Sequence, residues 1–281
     1  MSNDLQEEMN SPTNRRKTFT IPQLLIRKRT SVKIVMVTAY DYSSALLAER
    51  AEIDIVLVGD SLGMMAAGHK DVLPVTMDEM VYHVRMVRRG LKRSLLLADM
   101  PFGSYQISEE LGLANAVRLL KEGGASAVKL EGDAETAPLI KKMVHAGIPA
   151  VAHIGVTPQS VNLQGGYPVQ GRDEESRQRL IASAENMVNA GACALLLEKI
   201  DPAVASHITQ SVEVPTIGIG SGSGCDGQVL VWHDLLGLPP GKTYPHVKEY
   251  ASIGQQIVDA LSHYKNDVIS GIFPPQEQHT K

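Results

Sequence analysis

Cysteines, aromatic residues and long apolar runs are all scarce in this chain of 281 residues. Cys193 and Cys225 are the only cysteines, and they form no CxxC pair, which argues against a disulfide scaffold and a zinc knuckle. No apolar run approaches the roughly 20 residues that a membrane helix needs. The first ten residues, MSNDLQEEMN, are polar and acidic, unlike a secretory signal or a mitochondrial presequence. We therefore expect a cytoplasmic protein without a membrane partner.

Basic charge is not in excess either. Lys and Arg number 27 and Asp and Glu 31, so the formal net charge is −4. A nucleic-acid groove needs a basic stripe that replaces phosphate counterions, so no nucleic-acid partner is expected. Small anionic substrates stay compatible with this balance, because one or two local cations can bind them.

The two ends of the chain differ from the rest. Residues 1–19 are polar and lack periodicity, which is typical of a flexible tail, and residues 273–281 form a second tail. Neither an internal repeat nor a linker divides residues 20–272. We expect them to form a single catalytic domain.

Eight short apolar runs of nearly continuous hydrophobicity follow one another along this domain, as expected for strands that are buried on both faces of a parallel sheet. They are Ile34–Thr38, Ile55–Gly59, Leu95–Asp99, Ala127–Leu130, Ala150–Ile154, Ala194–Leu197, Thr216–Gly220 and Gln228–Val231. Eight such strands, mostly separated by helices, predict a (β/α)8 TIM barrel. A doubly wound open sheet is the alternative.

Helical patterns lie between most of these runs. Thr76 and Glu79 have the spacing of a capping box ahead of an apolar stripe, and Ser108 precedes two acidic residues that suit the first turn of a helix. Apolar residues at helical spacing predict two later helices, and these residues are Leu180, Ala184, Met187 and Val188, then Ile253, Ile257 and Leu261. The segment Ser221–Gly227 is too short and too glycine-rich for a helix between the last two strands.

Acidic residues stand at the carboxyl ends of adjacent predicted strands, where barrel enzymes carry their catalytic groups. Asp60 follows the second strand, Asp99 ends the third and Glu131 follows the fourth. Three carboxylates at one barrel mouth repel one another unless a cation lies among them, and oxygen ligands suit Mg²⁺. Taken singly, Asp60 and Asp99 could instead be turn or helix-capping residues.

A lysine and a histidine accompany these carboxylates. Lys129 shares a strand face with Glu131, so it could bind a substrate carboxylate, pair with Glu131 or form a Schiff base. The proposed metal ligands argue against the Schiff base, because one electrophile is enough. His153, at the end of the fifth strand, could contact a ligand or pack in the core.

Glu198 ends the sixth strand, away from the other carboxylates, and is the candidate general base. An ion pair with Lys199 is the alternative, although successive strand residues point to opposite faces.

Gly222, Gly224 and Gly227 satisfy the pattern GxGxxG. The dinucleotide motif also requires a helix to begin there, whereas a strand-like run follows. We therefore expect a tight loop that allows close approach of a ligand or of backbone.

Several segments resemble the ketopantoate hydroxymethyltransferase family, in order from about Lys33 to Gly237. They are Val37–Asp41, Val58–Met64, Asp99–Tyr105, Val128–Gly132, His153–Gln159, Gly218–Gly220 and Cys225–Leu230. The resemblance implies a barrel of the phosphoenolpyruvate mutase/isocitrate lyase type. It also implies transfer of a hydroxymethyl group from 5,10-methylenetetrahydrofolate to 3-methyl-2-oxobutanoate, which gives 2-dehydropantoate for pantothenate synthesis.

Carried over by position, the resemblance implies one Mg²⁺ per subunit, held by Asp60 and Asp99 with Glu131 ligating directly or through water. Ser61 and Lys129 would hold the keto acid, and Asp60, Asp99 and His153 would also contact it. Glu198 would accept the C3 proton, leaving an enolate that the metal stabilises. The resemblance further implies a homodecamer.

Two rival interpretations remain at this point. A Mg²⁺-dependent lyase on the same scaffold would cleave a C–C bond in a larger acid, but such lyases usually carry a loop cysteine that neither Cys193 nor Cys225 clearly matches. A catalytically silent barrel is the second rival. It would have no reason to keep these charged residues at one rim.

Overall fold

The computed structural model describes residues 18–238 and 245–275 and contains a closed barrel of eight parallel strands in sequential order. The strands are β1 Ile34–Thr38, β2 Ile55–Val58, β3 Leu95–Asp99, β4 Ala127–Glu131, β5 Ala150–Gly155, β6 Ala194–Glu198, β7 Thr216–Ile219 and β8 Gly227–Leu230. Pairing of β8 with β1 closes the barrel and rules out the open sheet. Every predicted strand is confirmed, with ends shifted by at most one residue.

Helices surround the barrel and connect most of its strands. They are α1 Ile21–Arg29, α2 Tyr42–Arg50, α3 Leu62–Met65, α4 Met77–Gly90, α5 Glu109–Arg118, α6 Ala137–His145, α7 Val161–Gln164, α8 Glu174–Asn189, α9 Pro202–Ser211, α10 Trp232–Leu236 and α11 Ile253–Ser270. Within the two described ranges, no helix has both the length and the apolar character to cross a membrane.

The helix starts follow the predicted caps. Thr76 Oγ1 accepts a hydrogen bond from the Glu79 backbone N–H at 3.2 Å, and Thr76 N–H donates to Glu79 Oε2 at 2.8 Å. Ser108 Oγ accepts from the Leu111 N–H at 3.2 Å and so begins α5. These bonds satisfy N–H groups that have no partner inside the helix, which fixes where each helix begins.

The connection from β7 to β8 is a tight loop, as predicted, with Gly220 and Gly222 at positive φ. A Cβ atom on Gly227 would lie 2.5 Å from the backbone oxygen of Ile34, so β8 could not approach β1 with a larger residue there. Gly227 begins a strand, not a helix, so the segment lacks the structure of a dinucleotide-binding motif.

The amino-terminal end of the barrel is closed by α1 and the residues before it. Phe19 and Leu24 are buried in the apolar cluster that fills the barrel interior, and Phe19 N–H donates to the Arg93 carbonyl at 2.7 Å. The predicted tail therefore extended too far, because Phe19 is a core residue. Residues 1–17 and 276–281 of the two predicted tails lie outside the described residues.

The last helix, α11, forms where the spacing predicted it, but its apolar stripe is not buried within the chain. Ile257 is 46% exposed and Leu261 is 62% exposed, and Gly254 is the one buried residue of this helix. Val35, on the outer face of β1, is also 49% exposed. Exposed apolar surface of this kind is typical of an interaction site.

We expect Leu24→Ala to destabilise the fold by about 2–5 kcal/mol, because it leaves a cavity where α1 closes the barrel. Ile26→Ala in the same helix is the matched control, because Ile26 is 55% exposed whereas Leu24 is 1% exposed. Urea unfolding of both variants measures the difference. Equal stability of the two would mean that α1 does not contribute to the core.

Candidate active site

The strand register brings the predicted site residues together at the carboxyl end of the barrel. Asp99 on β3 lies beside Lys129 on β4, and Glu131 lies beside His153 on β5. Asp60 follows β2 directly, and its backbone N–H donates to Asp99 Oδ2 at 3.1 Å. The predicted convergence of the charged groups is therefore confirmed as geometry.

Lys129 lies at the centre of this charged cluster. Its Nζ atom is 3.2 Å from Asp99 Oδ1 and 3.8 Å from Glu131 Oε1. Asp60, Asp99, Glu131 and Lys129 are all buried, with exposures between 3% and 5%. The ion pair between Lys129 and Glu131 is thus present, but as part of a larger network.

Burial and mutual repulsion set the ionisation of the carboxylates. Burial raises the pKa of Asp60 well above its ordinary value, and the charges of Asp99 and Glu131 raise it further. Burial also raises the pKa of Asp99, although the ammonium of Lys129 opposes the change. Burial alone would raise the pKa of Glu131, but hydrogen bonding to His153 and nearby positive charge outweigh it and lower the pKa.

The lysine itself stays protonated. Burial alone would lower the pKa of Lys129, but the charges of Asp99, Glu131 and Asp60 outweigh burial and raise it. A Schiff-base lysine must be neutral to attack a carbonyl, so these surroundings oppose that alternative.

The charge and donor set of this cluster fit a divalent cation. Three carboxylates and one ammonium leave two formal negative charges in a buried site, and one Mg²⁺ would balance them. Asp99 Oδ1 and Glu131 Oε1 are buried oxygens that face Lys129 Nζ at 3.2 and 3.8 Å, without a donor in regular hydrogen-bond geometry. Within the described residues, no three His, Cys, Asp or Glu side chains form a ready metal-binding group.

His153 connects the cluster to the candidate base. Its Nδ1 atom is 3.1 Å from Lys129 Nζ and 3.5 Å from Glu131 Oε1, and its Nε2 atom is 3.4 Å from Glu198 Oε2. Burial and Lys129 act to lower the pKa of His153, but the two carboxylates outweigh them and raise it. His153 is therefore both buried and part of the site.

Glu198 faces the same cavity from β6 and is less buried than the other carboxylates, with its side chain 19% exposed. The next residue, Lys199, has a positive φ of 47°, and its side chain is directed towards Tyr167. Lys199 Nζ donates to the Tyr167 carbonyl at 3.4 Å and lies 5.6 Å from the centre of the Tyr167 ring. Glu198 is thus directed towards His153, not towards Lys199.

Gln159, to which sequence reasoning gave no role, joins the carboxylates together. Its side-chain nitrogen donates to Asp60 Oδ2 and to the Met100 carbonyl, both at 2.8 Å, and its backbone N–H donates to Glu131 Oε2 at 3.0 Å. Gln159 Oε1 accepts from the Tyr105 hydroxyl at 2.8 Å. Gln159 and Tyr105 both lie in segments that carry the family resemblance, which is the sequence signal that points to them. Both are uncharged, so a search for charged groups does not find them.

Ser61 belongs to a second hydrogen-bonded group on the β1 side of the mouth. Its Oγ atom is 2.8 Å from the Tyr40 hydroxyl, which in turn accepts from Thr38 Oγ1 at 3.1 Å. Burial raises the pKa of Tyr40, so the phenol stays protonated.

A cavity of about 160 Å³ opens above these groups and is lined by the charged residues on one side and apolar residues on the other. Leu196, Ile219 and Val229 form part of the apolar wall. A larger cavity of about 610 Å³ lies behind the β4 and β5 loops; Glu131 lines both cavities and Gln159 lines the larger one. All the predicted site residues line the smaller cavity, which is therefore the candidate site.

The cysteines lie away from this chemistry. Cys193 precedes β6, at the end of the barrel opposite the mouth, and burial raises the pKa of its thiol to about 12. Cys225 is fully buried in the β7–β8 loop. Neither matches the mobile-loop cysteine expected of the rival lyase.

The sequence of this chain matches a known protein family over nearly its whole length. The family model described as "Ketopantoate hydroxymethyltransferase" matches residues 18–276. The 3-methyl-2-oxobutanoate hydroxymethyltransferase of Carboxydothermus hydrogenoformans is 52% identical over 261 residues, which cover 93% of this chain and 94% of that protein.

Two solved structures share the fold at low sequence identity. A 2,3-dimethylmalate lyase, described as a PEP mutase/isocitrate lyase superfamily member, has a TM-score of 0.60 and 17% identity, covering 95% of this chain and 90% of its own. A phosphonopyruvate hydrolase in complex with oxalate and Mg²⁺ has a TM-score of 0.61 and 14% identity, covering 93% and 92%. These structures therefore share the predicted barrel fold with this chain. With the family model matching nearly the whole domain, the chain belongs to the ketopantoate hydroxymethyltransferase family.

Proposed function

We propose that this chain transfers a hydroxymethyl group from 5,10-methylenetetrahydrofolate to 3-methyl-2-oxobutanoate, giving 2-dehydropantoate for pantothenate synthesis. The observation that carries the proposal is the identity of 52% to a protein named for this reaction, along nearly the full length of both chains. The buried carboxylates around Lys129, with Glu198 facing the same cavity, supply groups that this chemistry needs.

Asp60 and Asp99 are the proposed Mg²⁺ ligands, and Glu131 ligates directly or through water. When bound, the ion would act as a Lewis acid that polarises the 2-oxo group and stabilises negative charge on its oxygen. Gln159 supports this arrangement, because it donates to Asp60 and to Glu131 at once and so fixes both carboxylates.

Lys129 and Ser61 bind the keto acid in this proposal. The ammonium of Lys129 is protonated and fixed by two carboxylates, so it presents positive charge to the substrate carboxylate. Ser61 Oγ lines the cavity from the β2 end and can donate to a substrate oxygen. His153 orients Glu198 from the opposite side, with 3.4 Å between Nε2 and Oε2.

Glu198 is the proposed proton acceptor at C3. Its carboxylate removes the C3 proton, and the electron pair of the C–H bond moves into the keto acid. The carbon nucleophile forms a C–C bond with the one-carbon unit of the folate. Both C–N bonds of the donor methylene group break, and one water supplies the oxygen of the new hydroxyl group. The proton taken from C3 and one proton of that water end on the two folate nitrogens, which balances the overall transfer.

The first experiment mixes the purified chain with 3-methyl-2-oxobutanoate, 5,10-methylenetetrahydrofolate and Mg²⁺. We expect 2-dehydropantoate, detected by mass spectrometry, and we expect EDTA to abolish it because the carboxylates would lose their balancing cation. Excess Mg²⁺ added after EDTA should restore product. Absence of product in every condition would contradict the proposed function.

Asp60→Asn and Asp99→Asn should each lower kcat/KM on the order of 10²–10³-fold, because each removes a charged ligand while keeping the side-chain shape. Asp78→Asn is the matched control, since Asp78 is on the surface with its side chain 85% exposed. Circular dichroism checks that all three fold. Full activity in Asp60→Asn or Asp99→Asn would remove that residue from the proposed metal site.

Glu198→Gln should still bind 3-methyl-2-oxobutanoate but lose deuterium exchange at C3 by about 10²–10⁴-fold, since the amide cannot accept the proton. Exchange is followed by NMR in D₂O without folate, which isolates proton transfer from group transfer. Glu185→Gln, an exposed substitution on α8, is the control. Exchange at the unmodified rate in Glu198→Gln would mean that another group is the base.

We further propose that the chain assembles as a homo-oligomer, a homodecamer by family resemblance, in the cytoplasm. The exposed apolar side chains of α11 and of Val35 on β1 support an interface between copies, because isolated chains would leave this surface in water.

A further inference from the structure

Tyr40 has a buried hydroxyl group next to the site that the proposed reaction does not use. The residue follows β1, is 3% exposed, and its hydroxyl lies between Thr38 Oγ1 at 3.1 Å and Ser61 Oγ at 2.8 Å. A hydroxyl group has one proton to donate, so the direction of each bond in this row depends on its neighbours.

The row begins at a group that can only donate. The backbone N–H of Trp232, at the start of α10, donates to Thr38 Oγ1 at 2.9 Å. Thr38 Oγ1 is thereby an acceptor from Trp232, and its own proton is donated to the Tyr40 oxygen. Either oxygen of the Tyr40–Ser61 contact can act as the donor. Because the Tyr40 oxygen already accepts from Thr38, donation to Ser61 Oγ gives the phenol proton an acceptor.

We propose that Tyr40 is a positioning residue that turns the Ser61 hydroxyl proton away from the protein and towards the substrate. Ser61 Oγ accepts from Tyr40, so its own proton is free to be donated into the cavity that Ser61 lines. The backbone N–H of Trp232 thus determines, through Thr38 and Tyr40, the direction in which the Ser61 hydroxyl donates.

The surroundings of Tyr40 hold its ring in place for this role. The ring stacks on the His233 ring with 5.5 Å between centroids and 28° between planes. The Tyr40 carbonyl lies 2.6 Å from His83 Nδ1. The stacked His233 restrains the ring and the His83 contact restrains the Tyr40 backbone, which together hold the phenol next to Ser61.

This inference concerns the substrate of the proposed function, and the identity of the ligand rests on that proposal. A Ser61 hydroxyl that must donate favours a substrate oxygen without protons, such as a carboxylate or keto oxygen. It disfavours a group that donates, such as the nitrogen of a carboxamide. Tyr40 therefore contributes to selection of a 2-oxo acid over the corresponding 2-oxo amide.

Neutron diffraction from deuterium-exchanged crystals of the unmodified protein tests the direction itself, independently of activity. We expect the Tyr40 deuteron on the line to Ser61 Oγ and the Ser61 deuteron pointing into the cavity. A Ser61 deuteron pointing at the Tyr40 oxygen would overturn the proposal. This result stands whichever reaction the protein catalyses, so it separates failure of this inference from failure of the proposed function.

A double-mutant cycle tests the consequence for binding. Tyr40→Phe and Ser61→Ala should each raise KM for 3-methyl-2-oxobutanoate about tenfold, the loss expected for one hydrogen bond, and leave KM for the folate unchanged. The double variant should also be about tenfold weaker, because Tyr40 acts through Ser61.

Tyr82→Phe, at a position 62% exposed, is the matched control and should retain the unmodified KM. Effects that multiply to about a hundredfold in the double variant would mean that Tyr40 acts independently of Ser61. An unchanged KM in Tyr40→Phe would equally overturn the proposal.

Discussion

Burial of three carboxylates around a single ammonium is the constraint on which the rest of the site depends. Each charge loses its hydration, and attraction offsets this loss only where partners are held at close range. Lys129 approaches Asp99 within 3.2 Å because β3 and β4 pair in the register that places the two residues side by side. The strand register is thus an electrostatic requirement as well as a feature of the fold.

Uncharged residues complete what strand register begins. Gln159 donates two hydrogen bonds to the carboxylates and a third to the Met100 carbonyl, and the Tyr105 hydroxyl donates to the Gln159 side chain. Without these donors, Asp60 and Glu131 would each lose a partner in a place that water does not reach easily. These hydrogen bonds hold the carboxylates close together although their charges repel one another. The site is therefore already arranged for a cation before one binds.

The strands and the charged residues could be predicted from the sequence because both follow from local patterns. Continuous apolar runs identify doubly buried strands, and the parallel order then places Asp60, Asp99 and Glu131 at one end. The contacts of Gln159 could not be predicted in this way. Its amide is uncharged, and it contacts Asp60, which lies 99 positions earlier in the chain, so no local pattern connects the two residues.

Burial at the ends of the chain was harder to predict for a related reason. Phe19 is a single aromatic residue in a polar stretch, so local composition hides its contact with the barrel. The spacing in α11 predicts a helix but not what covers its apolar face, and Leu261 is exposed within this chain. Apolar periodicity identifies the apolar face of a helix, whereas burial also depends on the surface that packs against that face.

Phe19 and α1 fill the amino-terminal end of the barrel with apolar side chains, so the charged groups lie in a cavity at the opposite end. In the proposed reaction, the acid and the folate would therefore share one route of approach, and the enlarged product would leave by the same route.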